Sequence, residues 1–272
     1  MKQYLIQAIV ALKSFRSLPS YLKFLWIKVL KAKFIINEKS TENHNKNHIN
    51  VVELFTDGMS LKNSSKGYWS INPMIDKDLL NKYYQYNYWE EFKKGINHNV
   101  NLRDLDHFNL IMKYSSSFFK SKKTILNFGS GHLGCSFLFY FSGHKVINMD
   151  LYPAKTHLIE NSDDWVNIKN LTDLNCEIDF LYSSHSLEHV HSVNSFEHDF
   201  FPKIKSGGLL FFEVPNEKNE SVKIDIPHTY YFREEYFNNL PFNTILLETY
   251  NTNKFPNKRL DNGDVIRYLG KK

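Results

Sequence analysis

The chain has 272 residues, 42% hydrophobic, 15% aromatic and 23% charged, with 11 Gly and 8 Pro. That composition excludes collagen-like, low-complexity and wholly disordered chains, and the length allows one full domain with appendages or two small ones. Cys135 and Cys176, the two cysteines, are too few for a disulfide framework or a multi-cysteine zinc site, so a reducing, cytoplasmic compartment is the simpler expectation.

The net charge of +5 is unevenly spread, because residues 1–40 carry eight Lys or Arg against one acid, Glu38, and the remainder is slightly acidic. A nucleic-acid enzyme spreads a basic stripe over its folded body, so no nucleic-acid partner is expected. Residues 1–36 read as two short helical stretches separated at Pro19, one around Leu5, Ile9 and Leu12, the other around Leu22, Leu25, Trp26 and Val29. Lysines interrupt both, neither approaches the roughly 18 apolar residues of a membrane span, and no small-residue cleavage site follows. A secreted or membrane-spanning chain is therefore not expected. The segment reads as a helical extension packing on its own domain or on a second subunit; being basic and amphipathic, it also suits peripheral contact with an anionic inner membrane face. The sequence assigns no oligomeric state.

Residues 37–50 are polar throughout and complete an N-terminal region, 1–50, of basic extension and linker. His44 and His48 there have the spacing of a metal pair but no apolar support, and no metal site is expected. Residues 51–102 are rich in aromatics, among them Tyr68, Trp69, Tyr84, Tyr88 and Phe92, and read as a lid or substrate-side region. From 103 to 272 short β-branched and aromatic runs alternate with helical stretches, the signature of a parallel sheet built from βαβ units. Strands are expected at Thr124 to Phe128, Lys145 to Met149, Val166 to Ile168, Ile178 to Ser183 and Gly208 to Val214. Two more, Thr244 to Tyr250 and Asp264 to Leu269, have no helical pattern between them and should pair antiparallel at an edge.

Gly129-Ser130-Gly131-His132-Leu133-Gly134 follows the first of these strands and opens a helix, so the glycine pattern falls where it has meaning. Its glycines allow a tight turn and a close backbone approach to a ligand, while the helix start offers unpaired N–H groups. Asp150 ends the next strand, where a carboxylate can accept both hydroxyls of a ribose. Together these features indicate an adenosine-type cofactor. Further on, Ser184-His185-Ser186-Leu187-Glu188-His189-Val190 leaves a buried strand at the sheet's carboxyl edge, Lys205-Ser206-Gly207-Gly208 feeds the next strand, and Val214-Pro215-Asn216 ends it.

At these residues the chain resembles the class I S-adenosylmethionine-dependent methyltransferases, specifically the group whose fourth strand runs into LEHV and whose fifth follows a KPGG turn and ends in VPN. The resemblance spans about residues 103 to 250. It implies an α/β, Rossmann-like seven-stranded methyltransferase sheet with an antiparallel edge hairpin, and S-adenosylmethionine as cofactor. It also implies that Gly129, Ser130 and Gly131 face the methionine part, Asp150 the ribose, Leu151, Asn170 and Leu171 the adenine, and Ser184 and His185 the sulfonium. The chain departs from the family at Asn127, where an acid is usual.

Three rival readings compete. A nicotinamide enzyme shares the glycine loop and Asp150, but the Tyr250 to Lys254 spacing spans a polar stretch unlike a catalytic helix. The run His185 to His189 matches an inverted zinc-peptidase pattern, yet follows a strand in a nucleotide-binding sheet. A non-catalytic cofactor-binding or scaffold module keeps the fold without the chemistry. On the methyltransferase reading, a hydroxyl acceptor must lose its proton, and His185, His189 and His228 are the candidate general bases, since imidazole titrates near neutrality. The segment Ile226 to Phe237, with the aromatic block, suggests a lid over an extended substrate, because aromatic faces stack on sugar rings. The expected acceptor is a saccharide or lipid-linked saccharide, with a small aromatic or quinone-like molecule as the alternative.

Overall fold

The computed structural model describes residues 59–75, 77–84, 100–152, 154, 156, 158–159, 162–216, 224, 228–251 and 263–272. The N-terminal helical stretches, His44, His48, Tyr88 and Phe92 lie outside the described residues. No helix among the described residues is long and apolar enough to cross a membrane.

The chain divides into two compact units, one drawn from Met1–Ser64, Trp69–Gly95 and Glu220–Thr229, the other from Ser65–Tyr68, Ile96–Asn219 and Tyr230–Lys272. The first holds strand β1 (Ser60–Ser64), all but the first residue of β2 (Tyr68–Asn72), and helix α1 (Lys77–Tyr83). β1 and β2 are hydrogen-bonded neighbours. Trp69, Ile71, Ile75, Leu80 and Tyr84 are its buried apolar side chains, and the Ile71 N–H donates to the Thr229 carbonyl at 3.1 Å.

The second unit opens with α2 (Leu102–Ser115), whose start is fixed by a reciprocal cap: the Asp104 N–H donates to the Asn101 side chain and the Asn101 N–H to the Asp104 carboxylate. Then follow β3 (Thr124–Phe128), α3 (Gly134–Phe141), β4 (Lys145–Met149), β5 (Trp165–Ile168), β6 (Ile178–Ser184), α4 (Val193–Phe200) and β7 (Ile204–Pro215). The unit ends with β8 (Tyr230–Phe232), α5 (Glu234–Asn238), β9 (Asn243–Tyr250) and β10 (Val265–Lys271). Seven strands form one sheet in the order β5-β4-β3-β6-β7-β10-β9. The first five are parallel, and β10 runs antiparallel to both β7 and β9.

The expected α/β sheet therefore forms, with its antiparallel pair at the edge. The hairpin joins through its second strand, because β10 inserts between β7 and β9. β7 also starts earlier than the sequence suggested, at Ile204, with a register shift against β6 accommodating the left-handed Gly207 (φ 74).

Both sheet faces are covered, which is why the middle of each central strand carries consecutive apolar residues, such as Ile125-Leu126, Val146-Ile147 and Phe180-Leu181-Tyr182. On one face Ile125, Val146, Phe180, Tyr182 and Phe211 pack with Ile111 of α2 and Phe137 and Phe139 of α3. On the other, Phe128 meets Phe196 and Phe200 of α4, and Phe212 and Tyr268 meet Phe237 of α5. Phe180, fully buried, touches the rings of Phe119, Phe139 and Tyr182. Phe180→Ala should lower stability by about 3–5 kcal/mol through lost burial and a residual cavity, read as a fall in the urea midpoint without a change in slope.

Candidate active site

The glycine loop hangs from the carboxyl ends of β3 and β4. Gly129 (φ 68) and Gly131 (φ 46) are both left-handed, a conformation that costs a side chain about 1–2 kcal/mol. The Gly129 and Ser130 N–H groups donate to the Met149 carbonyl at 2.8 and 3.2 Å, tying the loop to the end of β4. A Cβ on Gly129 would overlap the Ser186 hydroxyl, and one on Gly134 would overlap the Asp104 carboxylate. Close approach from two sides, as well as backbone conformation, thus demands glycine in this loop.

Asp150 stands beside it. One carboxylate oxygen accepts from the Gly131 N–H at 3.1 Å and the other from the Tyr152 N–H at 3.0 Å. Burial pushes its pKa up, and those two backbone donors pull against the shift. The Ser130 hydroxyl is buried and has no partner among the described residues, so ordered water or a bound ligand would satisfy it. Leu151, 42% exposed, follows Asp150. Asn170 is exposed, with its N–H donating to Asp173, and half-buried Leu171 begins the short turn Leu171–Asp173 after β5.

Asn127 is spent internally. Its amide donates to the Ser136 hydroxyl at 2.7 Å, and that hydroxyl donates to the Asn148 side-chain oxygen at 2.6 Å. All three residues are buried, so this neutral relay knits β3, α3 and β4 together where an acid would have buried a charge.

Beyond β6 the chain turns sharply. His185 is left-handed (φ 50), an uncommon state for a non-glycine residue, and Leu187–His189 forms a single helical turn. The His185 Nε2 lies 3.3 Å from Glu213 Oε1, and its Nδ1 lies 3.4 Å from Glu188 Oε1. Burial alone would lower the imidazole pKa, but hydrogen bonds and charge from Glu188 and Glu213 reverse that and raise it to about 9. The Ser186 hydroxyl sits 3.2 Å from the Ser184 carbonyl and 3.4 Å from the Gly129 carbonyl. His189, its side chain 17% exposed, has Nε2 3.8 Å from Glu188 Oε1.

Glu213, fully buried on β7, collects donors from four elements. Its Oε2 accepts from His107 Nε2 at 2.5 Å, from Arg267 Nε at 2.9 Å and from the Tyr250 hydroxyl, and its Oε1 from the Ser184 hydroxyl at 3.2 Å. Burial would raise the carboxyl pKa, but the charges and hydrogen bonds of His107, His185 and Arg267 hold it well below the usual carboxylate range. Arg267 lies over the Tyr250 ring at 3.7 Å and pairs with Asp106 at 2.6 Å.

The sheet thus brings Gly129, Ser130, Gly131, Asp150, Ser184, His185 and His189 to its carboxyl edge within the second unit. His228 belongs to the first unit, just ahead of β8. Sequence reasoning missed Glu213, Arg267, His107 and Ser186. The first two carry a recognisable signal, a lone charge inside an otherwise apolar strand: Leu209-Leu210-Phe211-Phe212-Glu213-Val214 and Val265-Ile266-Arg267-Tyr268-Leu269.

A methyltransferase-domain family model matches residues 98–245, more than half of the chain, which therefore belongs to that family. The protein is an S-adenosylmethionine-dependent methyltransferase. Similar solved structures include TehB from Haemophilus influenzae, 14% identical over 71% of this chain and 67% of that one, with a TM-score of 0.42. Another is coclaurine N-methyltransferase bound to N-methylheliamine and SAH, at 11% identity, 62% and 72% coverage and a TM-score of 0.47. A third is an S-adenosylmethionine dependent methyltransferase from Mesorhizobium loti, at 12%, 60% and 97%, and 0.42. At these identities none bears on this chain's acceptor. No curated protein matches the sequence.

The residues at the edge fit S-adenosylmethionine: the unpartnered Ser130 hydroxyl and left-handed glycines suit its methionine part, and Asp150 its ribose. Gly129→Ala should abolish S-adenosylhomocysteine (SAH) binding in a calorimetric titration. Gly143→Ala, at a glycine equally left-handed (φ 90) but with open space around it, should leave binding unchanged and cost about 1–2 kcal/mol of stability.

Proposed function

We propose that this methyltransferase O-methylates a saccharide or lipid-linked saccharide in surface glycan biosynthesis, with His189 as general base. The observation that carries the reading is the chemistry of the edge beyond β6. Half-buried Ser184, His185, Ser186 and His189 line it with hydroxyl and imidazole groups, which suit a hydroxyl-rich acceptor. Of the rings expected in a stacking lid, Tyr68, Tyr230, Phe232 and Tyr236 are among the described residues and are buried in mutual contact. A flat quinone-like acceptor, the alternative, would call for rings presented at the edge.

S-Adenosylmethionine supplies an electrophilic methyl group on a sulfonium. His189 takes the hydroxyl proton as the acceptor oxygen takes that methyl group. Glu188, 1% exposed, offsets the charge that the imidazole gains. His185 faces a carboxylate at each ring nitrogen, holds both protons at neutral pH and does not act as the base. His228 is the second candidate base. The basic residues 1–36 hold the enzyme at the inner membrane face, with the catalytic unit in the cytoplasm.

Asp150→Ala should raise the dissociation constant for SAH at least tenfold in calorimetry, with no NAD binding by either form; undiminished binding would remove Asp150 from the cofactor site. His189→Ala should lower kcat on the accepted glycan by about 100-fold or more while leaving SAH affinity unchanged. If instead His228→Ala alone slows turnover, the base is His228. Removing residues 1–40 should abolish sedimentation with anionic vesicles; equal sedimentation of the truncated chain refutes the membrane contact.

A further inference from the structure

The buried network of Glu213 has no part in binding or chemistry as described so far, yet it reaches the cofactor loop through a short series of contacts. We propose that Glu213 and Glu188 act as positioning residues for the cofactor loop, clamping His185 as an imidazolium in its left-handed turn so that Ser186 is seated on Gly129. The inference rests on the cofactor assignment alone and is independent of the acceptor and the base.

Glu213 is the fixed end. Its Oε2 is held by α2 through His107, by β9 through Tyr250 and by β10 through Arg267, leaving Oε1 for Ser184 and His185 at the carboxyl edge. The His185 backbone N–H also donates to the Glu213 carbonyl at 2.8 Å, so β7 grips both the main chain and the ring of this one residue. Glu188, three residues on, closes the clamp from the other side of the ring at 3.4 Å. Each ring nitrogen lies within ion-pair distance of a carboxylate oxygen, and a carboxylate on both sides of the ring favours its protonated form.

A left-handed histidine persists only where its surroundings over-determine it. What the turn achieves is the placement of Ser186: its hydroxyl lies 3.4 Å from the Gly129 carbonyl and fills the space that a Gly129 side chain would need. Releasing His185 frees that turn, Ser186 leaves Gly129, and the loop that carries Ser130 and meets Asp150 loses one wall.

The test is SAH affinity from pH 7 to 10, measured by calorimetry on the full chain, for wild type, His185→Asn, Glu188→Gln and Glu213→Gln. Asparagine tolerates the left-handed backbone but carries no charge, so it separates the clamp from the backbone conformation. At pH 7 His185→Asn should bind at least tenfold more weakly than wild type. The ring is fully charged below its usual 6.5 and discharges as pH rises through about 9. Wild-type affinity should therefore fall through pH 9 more steeply than that of His185→Asn, which isolates the titration of the ligand's own amino group. Glu188→Gln and Glu213→Gln should each move the wild-type fall to lower pH, because one of the two carboxylates holding the proton is gone.

The groups packed around the ring and its anchors are Glu188, Glu213, His107, Tyr182, Tyr250 and Arg267, with His189 on Glu188 and Asp106 and Glu248 on the arginine. The tyrosines and the arginine are all held above their ordinary pKa values, so none of them discharges in this window in place of His185. If Glu213→Gln does not fold, Glu188→Gln and His185→Asn still decide the matter, since both lie at the edge. Affinity of His185→Asn within twofold of wild type, or identical pH curves for the two, overturns the proposal. Failure of wild type to bind SAH at all overturns the proposal and the cofactor assignment together, an outcome distinct from any difference among the variants.

Discussion

The ion pair between Glu213 and Arg267 is the constraint on which the catalytic half of this molecule depends. Both side chains are essentially inaccessible to water, and two charges so placed hold only when each is hydrogen-bonded as well as paired. The register meets that condition. Ser184, Glu213, Arg267 and Glu248 lie side by side on β6, β7, β10 and β9, so one row of side chains crosses the junction between the parallel strands and the antiparallel edge. Removing either member would strand the other, at a cost of about 3–5 kcal/mol. The inserted position of β10 is thereby coupled to the place where β6 ends, and hence to the carboxyl edge that carries the candidate site.

The same edge shows how one unit combines rigidity with chemistry. Many of its described aromatic residues are used for packing: Phe128, Phe196 and Phe200 below the sheet, Phe119, Phe139 and Phe180 above it, and Tyr68, Tyr230 and Tyr236 around β8. Large rings bury much apolar area for little side-chain entropy, so a chain rich in Phe and Tyr can support a polar edge without a soft core. The polar groups are then concentrated where the strands end, in the glycine loop, Asp150 and the turn from Ser184 to His189. The neutral relay through Asn127, Ser136 and Asn148 belongs to the same economy, replacing a buried charge with a short chain of hydrogen bonds.

Much of the candidate cofactor site was legible in the sequence because it is built from local signals. Gly129 and Gly131 are glycines since the backbone there is left-handed, and Asp150 is recognisable because a strand of apolar residues ends on it. The strands were found for the same reason: two covered faces demand continuous apolar runs. The three histidines were found too, but their roles were not, since a histidine's chemistry is set by what faces its two nitrogens. His185 meets two carboxylates, one of them 28 residues further along the chain, and His189 meets only one of them at longer range.

The sequence by itself determined the α/β class, the family and the cofactor, and it located the left-handed glycine loop, because each follows from short-range rules of periodicity, turn conformation and strand ends. Only the tertiary structure decided that β10 lies between β7 and β9, that Glu213 and Arg267 share a row, and that Ser186 takes the space beside Gly129. Those facts depend on pairing between residues far apart in the chain, and a charge in an apolar strand announces that it needs a partner without saying which strand will bring one.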